Sequence, residues 1–303
     1  MKTLKKMKRF WALYLLMVPG LAYLIINNYI PMFGIVIAFK KYNIRDGIWG
    51  SPWNGLNNFK FLVSNDLALI LRNTILYNLV FIALGLVVSV ALAIMISDIA
   101  SPRAKKIYQS FVMMPFLISM VIVSYIVFGF LSAQNGLVNN SILKPLGKDP
   151  ISWYQYTKPW PFILVFVNLW KGAGYGTLIY IAGIAGIDKE LYEAARIDGA
   201  SRWKQIRAIT LPHLVPSMIT LTMLNIGRIF YSDFGLFYQV PQNSGALFPV
   251  TQTIDTYVYR ALITTGGVTR SAAAGFFQSV VGFLFVMGSN LLVRKISPDN
   301  AMF

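Results

Sequence analysis

The stretch EAARIDGASRWKQIRAITLP, Glu193 to Pro212, is charged and helix-like with Gly199 near its middle, yet it lies between two long apolar runs of a chain that is 56% hydrophobic. A flexible connector would be enough to join two spans, but this pattern is ordered. From Glu190, ELYEAARI sets Leu191, Ala194 and Ala195 on one helical face and Glu193 and Arg196 on the polar side. Gly199 falls where a helix C-terminus takes a left-handed residue. Ser201 is placed to cap a second short helix, RWKQIRAI, and Pro212 opens the next apolar run. The spacing predicts a helix, a Gly turn and a helix along a membrane surface, with small Ala side chains that let another surface come close. An interfacial amphipathic segment without a partner gives the same pattern.

The rest of the chain supports the membrane setting. Of 303 residues only 13% are charged, against about 25% in a soluble domain, and the mean hydropathy is +0.58. A soluble α-domain with an oversized core would not gather its apolar residues into runs of about 20, the length that crosses a bilayer. Such runs lie at 11–39, 73–97, 107–131, 160–187, 212–235 and 271–293. Backbone groups in lipid must be satisfied internally, and the short alternation of a membrane barrel is absent, so the expectation is an all-α membrane protein with six transmembrane helices in a single domain over 1–303. With the N-terminus cytoplasmic, fifteen Lys and Arg fall on the inside in about 50 residues and ten on the outside in about 100. Both termini are then cytoplasmic. The net charge of +16 is accounted for by anionic lipid headgroups and needs no nucleic acid. The basic start MKTLKKMKRF leads into a run too long for a signal peptide, which reads as a retained first helix kinked near Pro19 and Pro31.

The outside segments have turn and aromatic character. In GSPWNGLNNFKFLVSND, Pro52, Gly55 and the Asn pair predict a turn, and NFKFLVSND a short interfacial helix with Phe59 and Leu62 toward the membrane. The segment 232–270 mixes aromatics with Gln242, Asn243 and Ser244, which suits a sugar or an aromatic belt equally. Catalytic patterns are missing from the sequence. It has one His and no Cys, no GxxxxGK[ST] and no carboxylate pair evident from spacing.

Two cations interrupt the apolar runs. Lys171 follows Asn168 and Trp170, and Arg228 precedes Tyr231, Asp233 and Phe234. A charge at membrane depth costs at least about 2.5 kcal/mol, so these residues are expected to line a watery substrate path; snorkelling or structural pairing is the plainer alternative. Gly172, Gly174 and Gly176 are expected to loosen the helix beside Lys171, and Ser271, Gly275 and Ser279 form a small-residue packing face.

Glu193-Ala194-Ala195, three residues, Gly199, nine residues and Ile209-Thr210-Leu211-Pro212 resemble the EAA loop of permease subunits in bacterial ABC importers. Asp198 and Ala200 are similar to the carbohydrate-import branch. GIWGSPWNGLNNF, LRNT, NLWKGAGYGTLIYIAGIAGID, YSDFGLFYQVP, TIDTYVYR and the tail Ser297–Phe303 extend the likeness over nearly the whole chain, toward oligosaccharide and alginate-type importers. The resemblance implies a permease without an ATPase site of its own, in the bacterial cytoplasmic membrane, that moves oligosaccharides inward. Its implied partners are a second, different permease, two ATPase subunits that bind ATP and Mg, and an extracytoplasmic solute-binding protein. Residues 188–211 would be the coupling loop between helices 4 and 5, with Glu193 bonding to the ATPase, Ala194 and Ala195 as the close face and Gly199 permitting the turn. A secondary transporter or channel would leave this loop unexplained, and a membrane anchor or sensor would not need Lys171 and Arg228.

Overall fold

The structure is a computed structural model and describes residues 10–63, 65–264 and 267–296. The N-terminal lysines and the tail Ser297–Phe303 lie outside these, as does the side chain of Leu62. Among the described residues the fold is helical, with one isolated bridge, Lys40 to Trp53, as its extended pairing. Among the described residues five helices are long and apolar enough to cross a membrane: α1 (Trp11–Phe39), α2 (Leu67–Ser97 of the longer helix Asn65–Ser97), α5 (Trp160–Ala185), α7 (Arg202–Ile226) and α9 (Val268–Lys295). A sixth comes from the bent pair α3 (Pro102–Leu117) and α4 (Met120–Leu131). Between them lie α6 (Lys189–Ile197) and α8 (Ile254–Thr264).

The third apolar run is therefore not one helix. It breaks at Ile118 and Ser119 and turns by 94°. Pro115 near the end of α3 weakens the ladder, Ile118 is extended, and the Ser119 side chain caps α4 by accepting from the Ile122 N–H. The fifth run also differs. Helix begins at Arg202 and continues past Pro212 because a π turn, Ile206–Thr210, pairs the Leu211 N–H with the Ile206 carbonyl just ahead of the proline. It ends near Gly227, and residues up to 253 fold as short turns rather than as an open loop.

The chain divides into two compact units. The first joins the N-terminal portion with 258–277. Here half-buried Phe59 packs on Phe39 and Phe276 with ring centroids 5.3 and 6.1 Å away. Asn58 donates to the Ala38 and Lys40 carbonyls, and buried Lys40 donates to the Trp49 carbonyl at 2.7 Å, which ties 38–58 into one knot. Along α9, Ser271 donates to the Val258 carbonyl, and a Cβ added at Gly275 would meet nothing within 4 Å.

The second unit holds α2 to α7 and the later part of α9. Lipid supplies no hydrophobic drive between helices, so close approach has to come from small residues and interlocking side chains. Gly174 and Gly176 of α5 serve this, Gly172 does not, and the helix runs unbroken through all three. A Cβ on Gly174 would stand 2.2 Å from the Val112 carbonyl oxygen, and one on Gly176 would stand 2.6 Å from the Ser89 hydroxyl. Two packed clusters result. Tyr77, Val123, Trp160, Leu164, Leu236 and Phe237 fill one; Val90, Ala93, Ile96, Tyr180, Ile181 and Leu214 fill the other. Phe237 is thus a core residue, and Gln242 and Asn243 form a left-handed turn at φ 53° and 48°.

Candidate functional site

Within the second unit, α2, α5 and α7 enclose a cavity of about 340 Å³. Its lining mixes apolar rings and glycines with amides and hydroxyls: Asn78 and Ser89 from α2, Asn168 and Tyr175 from α5, and Thr222 and Asn225 from α7, followed by Arg228 and Tyr231. Arg228 is the charged group on this wall, and its guanidinium makes no side-chain hydrogen bond or ion pair among the described residues. The wall can hydrogen-bond hydroxyl-rich solutes and attract an anion.

Of the residues expected on the path, Asn168, Arg228 and Tyr231 meet at this cavity, and Trp170, Lys171, Asp233 and Phe234 are not on its wall. Lys171 turns to the break in the third span. Its ammonium donates to the carbonyls of Ile118 at 2.5 Å, Phe116 at 3.0 Å and Pro115 at 3.4 Å. These belong to the end of α3, where unpaired carbonyls and the helix dipole both favour a cation. Charge-assisted bonds of about 1.5–3 kcal/mol each offset the roughly 2.5–3.5 kcal/mol of placing Lys at membrane depth. Asp233 caps the turn Gly235–Gln239 by accepting from the Leu236 N–H, and Phe234 stacks on Tyr238 at 4.8 Å. Asn78, Ser89 and Asn225 were within reach of sequence reasoning, since polar groups inside apolar runs carry the same signal as Lys171.

A second feature is the segment between α5 and the apolar part of α7. Asp188 caps α6 by accepting from the Glu190 N–H. Gly199 has φ +72°, and the Ala200 N–H reaches back to the Ala195 carbonyl at 2.8 Å. Ser201 then caps the next turn through the Lys204 N–H. Helix, turn and helix thus follow from three local signals. Glu193, Ala194, Asp198 and Gly199 are exposed, and Ala195 and Ala200 are half-buried. Ile197 is 87% and Trp203 70% exposed on this rigid turn.

A helical membrane unit with a polar cavity among its spans and a rigid exposed turn between two of them belongs to the class of transporter membrane subunits. Residues 85–298 match the binding-protein-dependent transport system inner membrane component, and the chain belongs to that family. It is 34% identical over 300 residues to Protein LplB of Bacillus subtilis (strain 168), covering 99% of this chain and 92% of that one. It is 33% identical over 288 residues to the polygalacturonan/rhamnogalacturonan transport system permease protein YteP of the same organism, covering 95% and 89%. Its fold matches the crystal structure of a bacterial alginate ABC transporter in complex with an alginate pentasaccharide-bound periplasmic protein, with TM-score 0.86, 31% identity and 97% of both chains covered. The chain is accordingly a permease component of an ABC importer.

Proposed function

We propose that this permease carries oligosaccharides bearing uronic acids into the cytoplasm. The cavity carries this reading. Among the described residues its lone charged wall group is Arg228, set among amides and hydroxyls, which fits a carboxylate on a polyhydroxylated chain. The relatives named for polygalacturonan and alginate transport, both polyuronates, support the same class.

In this reading a second permease, different in sequence, completes the path, and a solute-binding protein delivers the glycan from outside the cytoplasmic membrane. Two ATPase subunits supply ATP and Mg chemistry. The Lys and Arg asymmetry supports cytoplasmic termini and a cytoplasmic position for residues 188–211. That segment is the ATPase contact: Glu193 offers a charge-assisted bond, Ala194, Ala195 and Ala200 a close face, Asp198 and Gly199 the turn, and exposed Ile197 and Trp203 an apolar surface for a partner to cover.

The test is uptake of a uronate oligosaccharide by the full complex in proteoliposomes. Glu193→Lys reverses a charge at the contact, and Gly199→Val forces a β-branched residue into a left-handed position. Each should insert normally and lower uptake by about tenfold or more, the range of one lost charged contact. Native uptake and native ATPase stimulation in both variants would defeat the proposal.

A further inference from the structure

Residues 188–210 form a closed unit. The Tyr192 hydroxyl meets the Thr210 hydroxyl at 2.9 Å. Buried Gln205 donates to the Ala200 carbonyl at 2.9 Å and accepts from Arg202 Nη1 at 3.1 Å. The Arg202 guanidinium also lies 5.6 Å over the Tyr192 ring. The amide and the ring therefore orient this fork, and its remaining edge points out of the unit. Nε donates to Asp98 Oδ2 at 2.9 Å and Nη2 to Asp98 Oδ1. Among the described residues, these are the side-chain hydrogen bonds that join the unit to α2; the other that leaves it, between His213 Nδ1 and the Ile209 carbonyl at 2.7 Å, stays within α7.

Asp98 directly follows the last residue of α2, and its N–H still bonds to the Ile94 carbonyl at 3.0 Å. Moving its carboxylate therefore moves the end of α2. A carboxylate at a helix C-terminus opposes the helix dipole, so Asp98 is a poor residue for stabilising α2 by itself. A two-point Arg–carboxylate fork fixes angle as well as distance. The apolar cluster of Val90, Ala93 and Ile96 with Leu214 also holds α2 to α7, but such packing is non-directional. From this end α2 runs to Ser89, Leu86 and Gly85 on the cavity wall.

We propose that the Asp98–Arg202 pair is the joint through which movement of residues 188–210 is passed to α2 and so to the cavity. The proposal rests on the importer reading above, in which an ATPase moves that segment. Asp98 and Arg202 act as positioning residues and touch no substrate.

The experiment is a charge swap in the complete complex of both permeases, both ATPases and the binding protein, reconstituted in proteoliposomes. It measures ATPase stimulation by glycan-loaded binding protein, uptake, and the amount of ATPase retained. An exposed ion pair contributes little to folding, so the readout is coupling. Asp98→Arg and Arg202→Asp should each lower stimulation and uptake by about tenfold, within the usual range of a coupling energy. The double swap Asp98→Arg with Arg202→Asp should return both to within about threefold of native. Asp98→Asn, which keeps an acceptor and loses the charge, should fall between native and Asp98→Ala. This milder series decides the matter if a reversed variant does not assemble. Native stimulation in Asp98→Ala overturns the joint, and so does a double swap as poor as the worse single variant. A native complex that retains no ATPase would instead sink the importer reading, and the joint with it.

Discussion

The third span breaks at Ile118 and Ser119, the fifth stops near Gly227, and each break releases backbone groups inside apolar spans where lipid offers no partner. At the first break one side chain does most of the repair: Lys171 collects the Pro115, Phe116 and Ile118 carbonyls. At the second the task is shared. Asn78 donates to the Ile229 and Tyr231 carbonyls at 2.9 and 3.1 Å, and Gln278 donates to Phe230 at 2.7 Å. Asp255 accepts from both the N–H and the hydroxyl of Ser232 at 2.6 and 2.7 Å. Released carbonyls draw donors and released N–H groups draw acceptors, so the chemistry follows the polarity of the broken helix end. The difference lies in redundancy. It also separates the two cations that interrupt the apolar runs: Lys171 is committed to backbone, and Arg228 is left facing the cavity.

A break repaired by one residue should be the more fragile. Lys171→Met removes all three donors at once. With two well-bonded carbonyls stranded at about 1–3 kcal/mol each, the loss should be roughly 2–6 kcal/mol, seen as a large drop in melting temperature and in yield of the assembled complex. Lys171→Arg should keep more of the stability, because it still presents a cation to α3. A Lys171→Met complex that melts like the native one would remove the basis of the comparison.

The shared repair should tolerate damage better. Asp255→Ala takes away the acceptor of the Ser232 N–H, one of two acceptors of its hydroxyl and one partner of Gln278, but Asn78, the Thr253 contact of Ser232 and the Phe230 contact of Gln278 remain. A loss of about 2 kcal/mol is expected, the range for one or two hydrogen bonds to a charged group. Asp255→Asn should lose less, as its amide oxygen still accepts. Thermal unfolding in detergent checks both, and a loss equal to that of Lys171→Met would mean that redundancy counts for nothing here.

What the sequence reveals of these regions depends on distance along the chain. The turn at Gly199 is legible because its helix, its left-handed residue and its Ser201 cap lie within a dozen positions and each has a local cause. The break at Ile118 is signalled by Pro115 alone, and a run of apolar residues reads as one span across it. Lys171 is legible as a costly residue, but its destination is set by a helix end 53 positions earlier. The α5 glycines read equally well as loosening or as close approach, and only the neighbouring Val112 backbone decides. Arg202 and Asp98 stand 104 positions apart, and no spacing rule joins them.

Arg228 gives the smallest effect on stability and the sharpest contrast with Lys171. Among the described residues its guanidinium holds no backbone group, so Arg228→Gln should shift stability by no more than about 0.5 kcal/mol, as for a surface change. Its effect should fall on selection. If the arginine meets a glycan carboxylate, losing a charge-assisted bond of about 1.5–3 kcal/mol should lower uptake of a uronate oligosaccharide by roughly tenfold to a hundredfold. Uptake of a neutral oligosaccharide that the binding protein also accepts should change far less. Arg228→Lys should stand between the two, since it keeps the charge and loses the planar fork. Competition between the two glycans in proteoliposomes, beside a melting curve of the same preparation, separates the possibilities. Equal loss of both substrates with a lowered melting temperature would make Arg228 a structural cation like Lys171, and the cavity would then need another group to account for any preference for acidic glycans.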